Sequence, residues 1–190
     1  MMVSRELRRE LLGYSRALLE ASLLGTSLPP TLFGDPLLEE KRGLFVTLRV
    51  RGLLRGCIGR IVAEGVLRET VHHCTLEAAF ADRRFPPLEG KELEGLTIEH
   101  SLLSPPRPLR RPGDIRLGVD GVIFALGDAR SVFLPEVPLE QGWDRAALLD
   151  ALARKAGLPS RAWQDKRALF QVFRTCHYSE DGQGSGDDRD

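Results

Sequence analysis

Leu44-Phe45-Val46-Thr47-Leu48-Arg49-Val50-Arg51-Gly52-Leu53-Leu54-Arg55-Gly56-Cys57-Ile58-Gly59-Arg60-Ile61 is the stretch that decides the fold. Apolar residues fall at 44, 46, 48 and 50, the two-residue period of a strand with one face buried. Arg51-Gly52 is a turn signal, so Leu53 to Ile61 is expected to return as the hairpin partner. Glycines at 52, 56 and 59 weaken that second arm as a plain strand and predict a bulge or a close backbone approach.

Helical periods stand on both sides of this hairpin. From Arg5 to Leu24, Leu7, Leu11, Tyr14, Leu18 and Ala21 follow alternating steps of four and three, and Gly25 with Pro29-Pro30 ends the helix. From Gly65 to Ala81, Leu67, Val71, Cys74 and Ala78 share a face, and Asp82 to Leu88, with Pro86-Pro87, breaks it. Leu96 to Leu103 reads as a strand. Ser104 to Gly113, with prolines at 105, 106, 108 and 112, reads as a rigid connector without a regular element. A second hairpin is expected from Val122 to Leu134 around Gly127-Asp128. Asp144 should cap a helix reaching Ala156, and Ala168 to Thr175 is the last apolar strand. Helices interleaved with hairpins predict an α+β fold, a mainly antiparallel sheet flanked by helices. One domain is expected over 1–178, followed by an acidic Gly/Asp-rich flexible tail over 179–190.

Composition narrows the function classes. The 27 Lys and Arg balance 27 Asp and Glu, so no global field recruits nucleic acid or an anionic membrane. Aromatic content of 6% leaves little for an RNA-stacking platform, so RNA binding through Arg83, Arg84 and Arg110-Arg111 is the weaker reading. Three scattered cysteines argue against a disulfide framework. The charged first ten residues do not read as a signal peptide, and no apolar run approaches the roughly 20 residues of a membrane span. A cytoplasmic location is the resulting expectation. No GxGxxG opens a helix and no GxxxxGK[ST] is present, so no nucleotide cofactor is expected.

The chemistry concentrates at Leu54 to Gly59. In an alternating strand Arg55 would share a face with Cys57 and lower its thiol pKa, while Gly56 and Gly59 would let a ligand approach the backbone. The competing reading is a buried cysteine acting as a small apolar side chain. Arg83-Arg84-Phe85 forms a stiff loop able to grip a carboxylate or phosphate, or simply to end a helix. Among the histidines, His100 alternates in phase with Ile98 and Leu102 and reads as a core residue. His72 and His73 read as solvated, and His177 as part of a fraying end. His72, His73, Cys74, Cys176 and His177 lack metal-ligand spacing, so no metal is expected.

Taken together, LRGCIG at Leu54–Gly59, the Ala78–Leu88 segment with RFPPL, and Phe133-Leu134-Pro135-Glu136-Val137 with Gln141-Gly142-Trp143-Asp144 resemble the AMMECR domain family, also called AmmeMemoRadiSam system protein A, over roughly residues 5 to 178. The resemblance implies a larger and a smaller lobe, with the LRGCIG segment as the candidate functional region. In prokaryotes it implies association with a radical SAM protein and a Memo-like protein. It names no reaction. Arg55, Cys57, Arg84 and Glu136 fall on its motif positions; the histidines do not. The expectation is an enzyme or enzyme-system component holding a small anionic ligand in a cleft near Cys57. Arg55, Gly56, Gly59 and Arg84 would bind it, Cys57 would be the nucleophile or redox thiol, and Glu136 the acid or base. The alternative is a non-catalytic module that docks a partner protein.

Overall fold

The computed structural model describes residues 3–182. The chain forms two compact units, the first from the residues up to Leu103 and from Cys176 on, the second from Ser104–Thr175. Each has its own four-stranded sheet, where the sequence suggested one.

The first unit carries α1 (Arg5–Leu24), β1 (Leu44–Val50), β2 (Leu53–Arg60), α2 (Leu67–Phe80), β3 (Leu96–Leu103) and β8 (Thr175–Ser179), with sheet order β2-β1-β3-β8. Ser4 caps α1 by accepting the Leu7 N–H, and Gly25 closes it in the left-handed region. The hairpin turns at Arg51-Gly52, with both residues at positive φ (50° and 80°), as a two-residue connection between right-twisted strands requires. Leu44, Val46 and Leu48 of β1 and Ile98 and Leu102 of β3 are fully buried. They form one apolar cluster with Leu7 and Leu11 of α1 and Leu67, Val71 and Cys74 of α2. β2 is an edge strand, and α2 packs on β1 and β2.

Within this core lies a polar thread. His100 Nε2 meets Ser15 Oγ at 3.1 Å, and Ser15 Oγ meets Thr75 Oγ1 at 2.9 Å. His100 and Tyr178 stack edge to face at 5.5 Å, and among the described residues neither His100 Nδ1 nor the Tyr178 hydroxyl has a hydrogen-bond partner. Burial pushes the His100 pKa down to about 3 and the Tyr178 pKa up.

The second unit holds β4 (Arg107–Leu109), β5 (Gly121–Leu126), β6 (Ala129–Phe133), α3 (Val137–Glu140), α4 (Arg145–Lys155) and β7 (Leu169–Phe173), with sheet order β4-β7-β5-β6 and antiparallel pairing throughout. Phe124, Val122 and Val172 pack under Leu148 and Leu152 of α4. Asp144 caps α4 by accepting the Ala147 N–H at 2.8 Å.

Two expectations change here. The proline-rich connector contains β4, a three-residue edge strand on which Pro108 can do without a ladder donor. The last apolar run is two strands, broken at Arg174: β7 joins the second sheet and β8 the first. No turn residue marks that break. β8 extends through Ser179, and Glu180 pairs with Arg16 of α1. The stretch 183–190 of the expected tail lies outside the described residues.

Candidate functional site

The β1–β2 ladder slips between Leu48 and Arg49: Leu48 pairs with Gly56, Arg49 with Leu54, and Arg55 is left as the extra residue of a bulge. The bulge cancels the two-residue period that would have put Arg55 and Cys57 on one face. Arg55 turns instead to the segment beyond α2. Its Nε and Nη2 bond the Glu92 carboxylate at 2.7 and 3.0 Å, and Nη1 and Nη2 donate to the Pro86 and Pro87 carbonyls at 2.8 and 3.0 Å. Four of the five guanidinium N–H groups are thereby engaged. Arg55 holds the Glu92 carboxyl below the usual range, ahead of the backbone N–H of Glu89.

The two motif glycines make room for their neighbours. A Cβ on Gly56 would stand 2.1 Å from the Ala78 carbonyl oxygen of α2. One on Gly59 would stand 2.4 Å from the Phe45 ring and 2.5 Å from the Leu44 carbonyl. Gly56 thus seats the helix on the edge strand, and Gly59 seats an aromatic ring across the pair.

Cys57 is half-buried and free of any disulfide. Its backbone faces out of the sheet edge, where a side-chain pair takes the place of a fifth strand. Asp82 Oδ2 accepts the Cys57 N–H at 2.9 Å, and Arg84 Nη2 donates to the Cys57 carbonyl at 3.1 Å. Asp82 in turn holds Arg84 at 3.0 Å to Nε and 2.7 Å to Nη2, and accepts the Arg84 backbone N–H at 3.1 Å. The Asp82 carboxylate is almost fully buried, while 58% of the Arg84 side chain is exposed. Arg84 above all, and the two backbone donors, hold the Asp82 carboxyl far below the ordinary carboxylate range. The Arg84 pKa is raised chiefly by Asp82, with smaller contributions from the nearby Cys57 sulfur. Thr47 Oγ1 donates to the same sulfur at 3.3 Å.

A third arginine continues the seam. Arg60 forks onto Glu77 of α2 at 2.7 and 3.0 Å and donates to the buried Cys74 sulfur at 3.2 Å. Beside it opens a cleft of about 330 Å³ lined by Arg60, Glu64, Glu69, Thr70, His73 and Glu77. Cys57 does not line this cleft.

Residues expected to matter are distributed unevenly. Cys57, Gly56, Gly59, Arg55 and Arg84 lie along one strand edge and the loop facing it. Glu136 is in the second unit, exposed, where its backbone carbonyl accepts the Leu139 and Glu140 N–H groups at the start of α3. His177 is not at a fraying end but within β8, bonded through Nδ1 to Ser101 Oγ at 3.1 Å. His72 is half-buried and meets the Tyr14 hydroxyl at 2.7 Å. Among the described residues, no three His, Cys, Asp or Glu side chains gather as a metal site, and no helix is long and apolar enough to cross a membrane. Sequence reading passed over Thr47, Asp82 and Glu92. Asp82 and Arg84 carried a local signal, an acid two residues before an arginine at a helix end, whereas Glu92 carried none.

The same residues are covered by a family match: the AMMECR1 family model matches residues 12–178. The chain belongs to the AMMECR1 family. A Methanothermobacter thermautotrophicus relative is 38% identical over 95% of this chain and 97% of its own length. A Thermococcus kodakarensis relative, protein TK0174, is 41% identical over 76% of this chain and 75% of its own. The crystal structure of the uncharacterized protein PH0010 from Pyrococcus horikoshii superposes with a TM-score of 0.80 at 32% identity, covering 97% of this chain and 98% of that one. The AMMECR1 match spans the LRGCIG edge, the Asp82–Arg84 loop and the whole of the second unit.

Proposed function

We propose that this AMMECR1 protein binds a small carboxylate- or phosphate-bearing ligand beside Cys57, with the Cys57 thiol next to the bound anion as nucleophile or redox group. One observation carries the reading: Arg84 is oriented by a buried carboxylate through Nε and Nη2, with 58% of its side chain exposed, next to a half-buried thiol. A guanidinium held in that way loses little side-chain entropy on binding an anion. Arg55, with most of its donors engaged, anchors the wall of the site. The test is protection of Cys57 from iodoacetamide by inorganic phosphate or acetate, read by peptide mass spectrometry. Protection in the wild type that disappears in Arg84→Ala and weakens in Arg84→Lys is expected. Equal labelling with and without either anion sinks the reading.

A second reading, a surface that docks the radical SAM or Memo-like partner implied by the resemblance, draws on Leu53 and Leu54. They stand 76% and 39% exposed at the hairpin end that leads into the motif. Co-purification with those partners that survives Cys57→Ser but fails in Leu53→Ser would favour it.

A further inference from the structure

We propose that Thr47 is the positioning residue of the Cys57 thiolate, its hydroxyl donating a hydrogen bond that holds the ionised sulfur toward the ligand site beside Arg84. The inference rests on the reading of Cys57 above and adds the group that orients its sulfur.

The register makes the contact. Thr47 and Cys57 are direct partners across the β1–β2 ladder. Because the Cys57 N–H and carbonyl are committed outward, to Asp82 and Arg84, this is a pair without mutual backbone hydrogen bonds. Such pairs are the closer kind in an antiparallel ladder, with Cα atoms about 4.5 Å apart, so short side chains meet. A threonine and a cysteine are short enough, and the Oγ1–Sγ separation is 3.3 Å. Threonine is also stiff at χ1, so little freedom is lost in aiming its hydroxyl. A hydroxyl bonds a thiolate more strongly than a thiol.

The charges around the pair leave this contact room to act. Arg84, fixed on Asp82, approaches from the loop after α2. Across β1, the register partner of Thr47 on β3 is Glu99, whose carboxylate would oppose a thiolate. Arg49 of β1 pairs with it at 2.7 Å and offsets that charge.

The test is a pH titration of the protein with 13C at the cysteine Cβ positions, in wild type, Thr47→Val and Thr47→Ser. Cys74 and Cys176 are buried and serve as internal references. Removing the hydroxyl should cut the Cys57 thiolate fraction at neutral pH by about threefold or more, and serine should restore it to within about twofold. A Cys57 titration unchanged in Thr47→Val, or not restored by serine, overturns the proposal. Iodoacetamide labelling of the same samples separates this inference from the one beneath it. If the titration shifts as expected but Cys57 resists alkylation in every variant, the reactive-thiol reading falls and the Thr47 contact stands.

Discussion

Asp82 and Cys57 are joined across the open edge of the first sheet: the buried Asp82 carboxylate accepts the Cys57 backbone N–H at 2.9 Å and holds Arg84 against the Cys57 carbonyl. An edge strand normally leaves such groups to solvent or to another chain. Here a helix-ending loop satisfies them, and in doing so it places a guanidinium beside a thiol. Structural closure and candidate chemistry are the same contact.

Asp82→Ala should therefore cost about 2–4 kcal/mol, since it leaves the Cys57 N–H unpaired and Arg84 without its anchor. Urea unfolding at neutral pH measures this. The Asp82 carboxyl is depressed in the fold, so its contribution is present above the unfolded value near 3.8 and is lost as pH falls below it. Asp82→Asn should flatten the wild-type loss of stability below about pH 4.

Gly56→Ala should cost about 1–3 kcal/mol or prevent folding, because the methyl would meet a helix backbone oxygen, which cannot swing aside. Thermal unfolding by circular dichroism reads the effect. A stable, soluble Gly56→Ala protein would show that α2 does not sit as close to β2 as described.

His100 makes the first unit sensitive to acid. Its folded pKa of about 3 lies below the unfolded value of about 6.5, so the unfolded chain binds the extra proton between them. Stability should be full above about pH 6.5 and decline as pH falls toward 3. His100→Asn, which removes the titrating group, should show a shallower slope between about pH 6.5 and 4 in urea midpoints.

Asp144→Ala tests the second unit. Loss of the bond to the Ala147 N–H should destabilise α4 by about 1 kcal/mol. Hydrogen exchange should report it as faster amide exchange in Arg145–Lys155, with β1 and β2 unchanged.

Much of this protein was legible in the residues alone. Alternation at Leu44, Val46, Leu48 and Val50 with Arg51-Gly52 gave the hairpin, helical spacing gave α1 and α2, and Asp144 announced its helix. These are local effects, set by side-chain period, cap chemistry and turn conformation, and a few neighbouring residues suffice to specify them. LRGCIG likewise marked the edge strand that carries the bulge. What that strand does was decided only in three dimensions. The bulge at Arg55 depends on pairing with β1 and changed which face the guanidinium reaches. Glu92 meets Arg55 from 37 residues away, and Arg16 meets Glu180 from 164. The division of one apolar run at Arg174 between two sheets follows from which strands lie alongside. Thr47 became a partner of Cys57 only because register set them opposite and Asp82 drew the cysteine backbone outward. Long-range pairing carries no periodic signature in the chain; it is selected by the packing of the whole fold, and that packing placed a thiol, a hydroxyl and a guanidinium together.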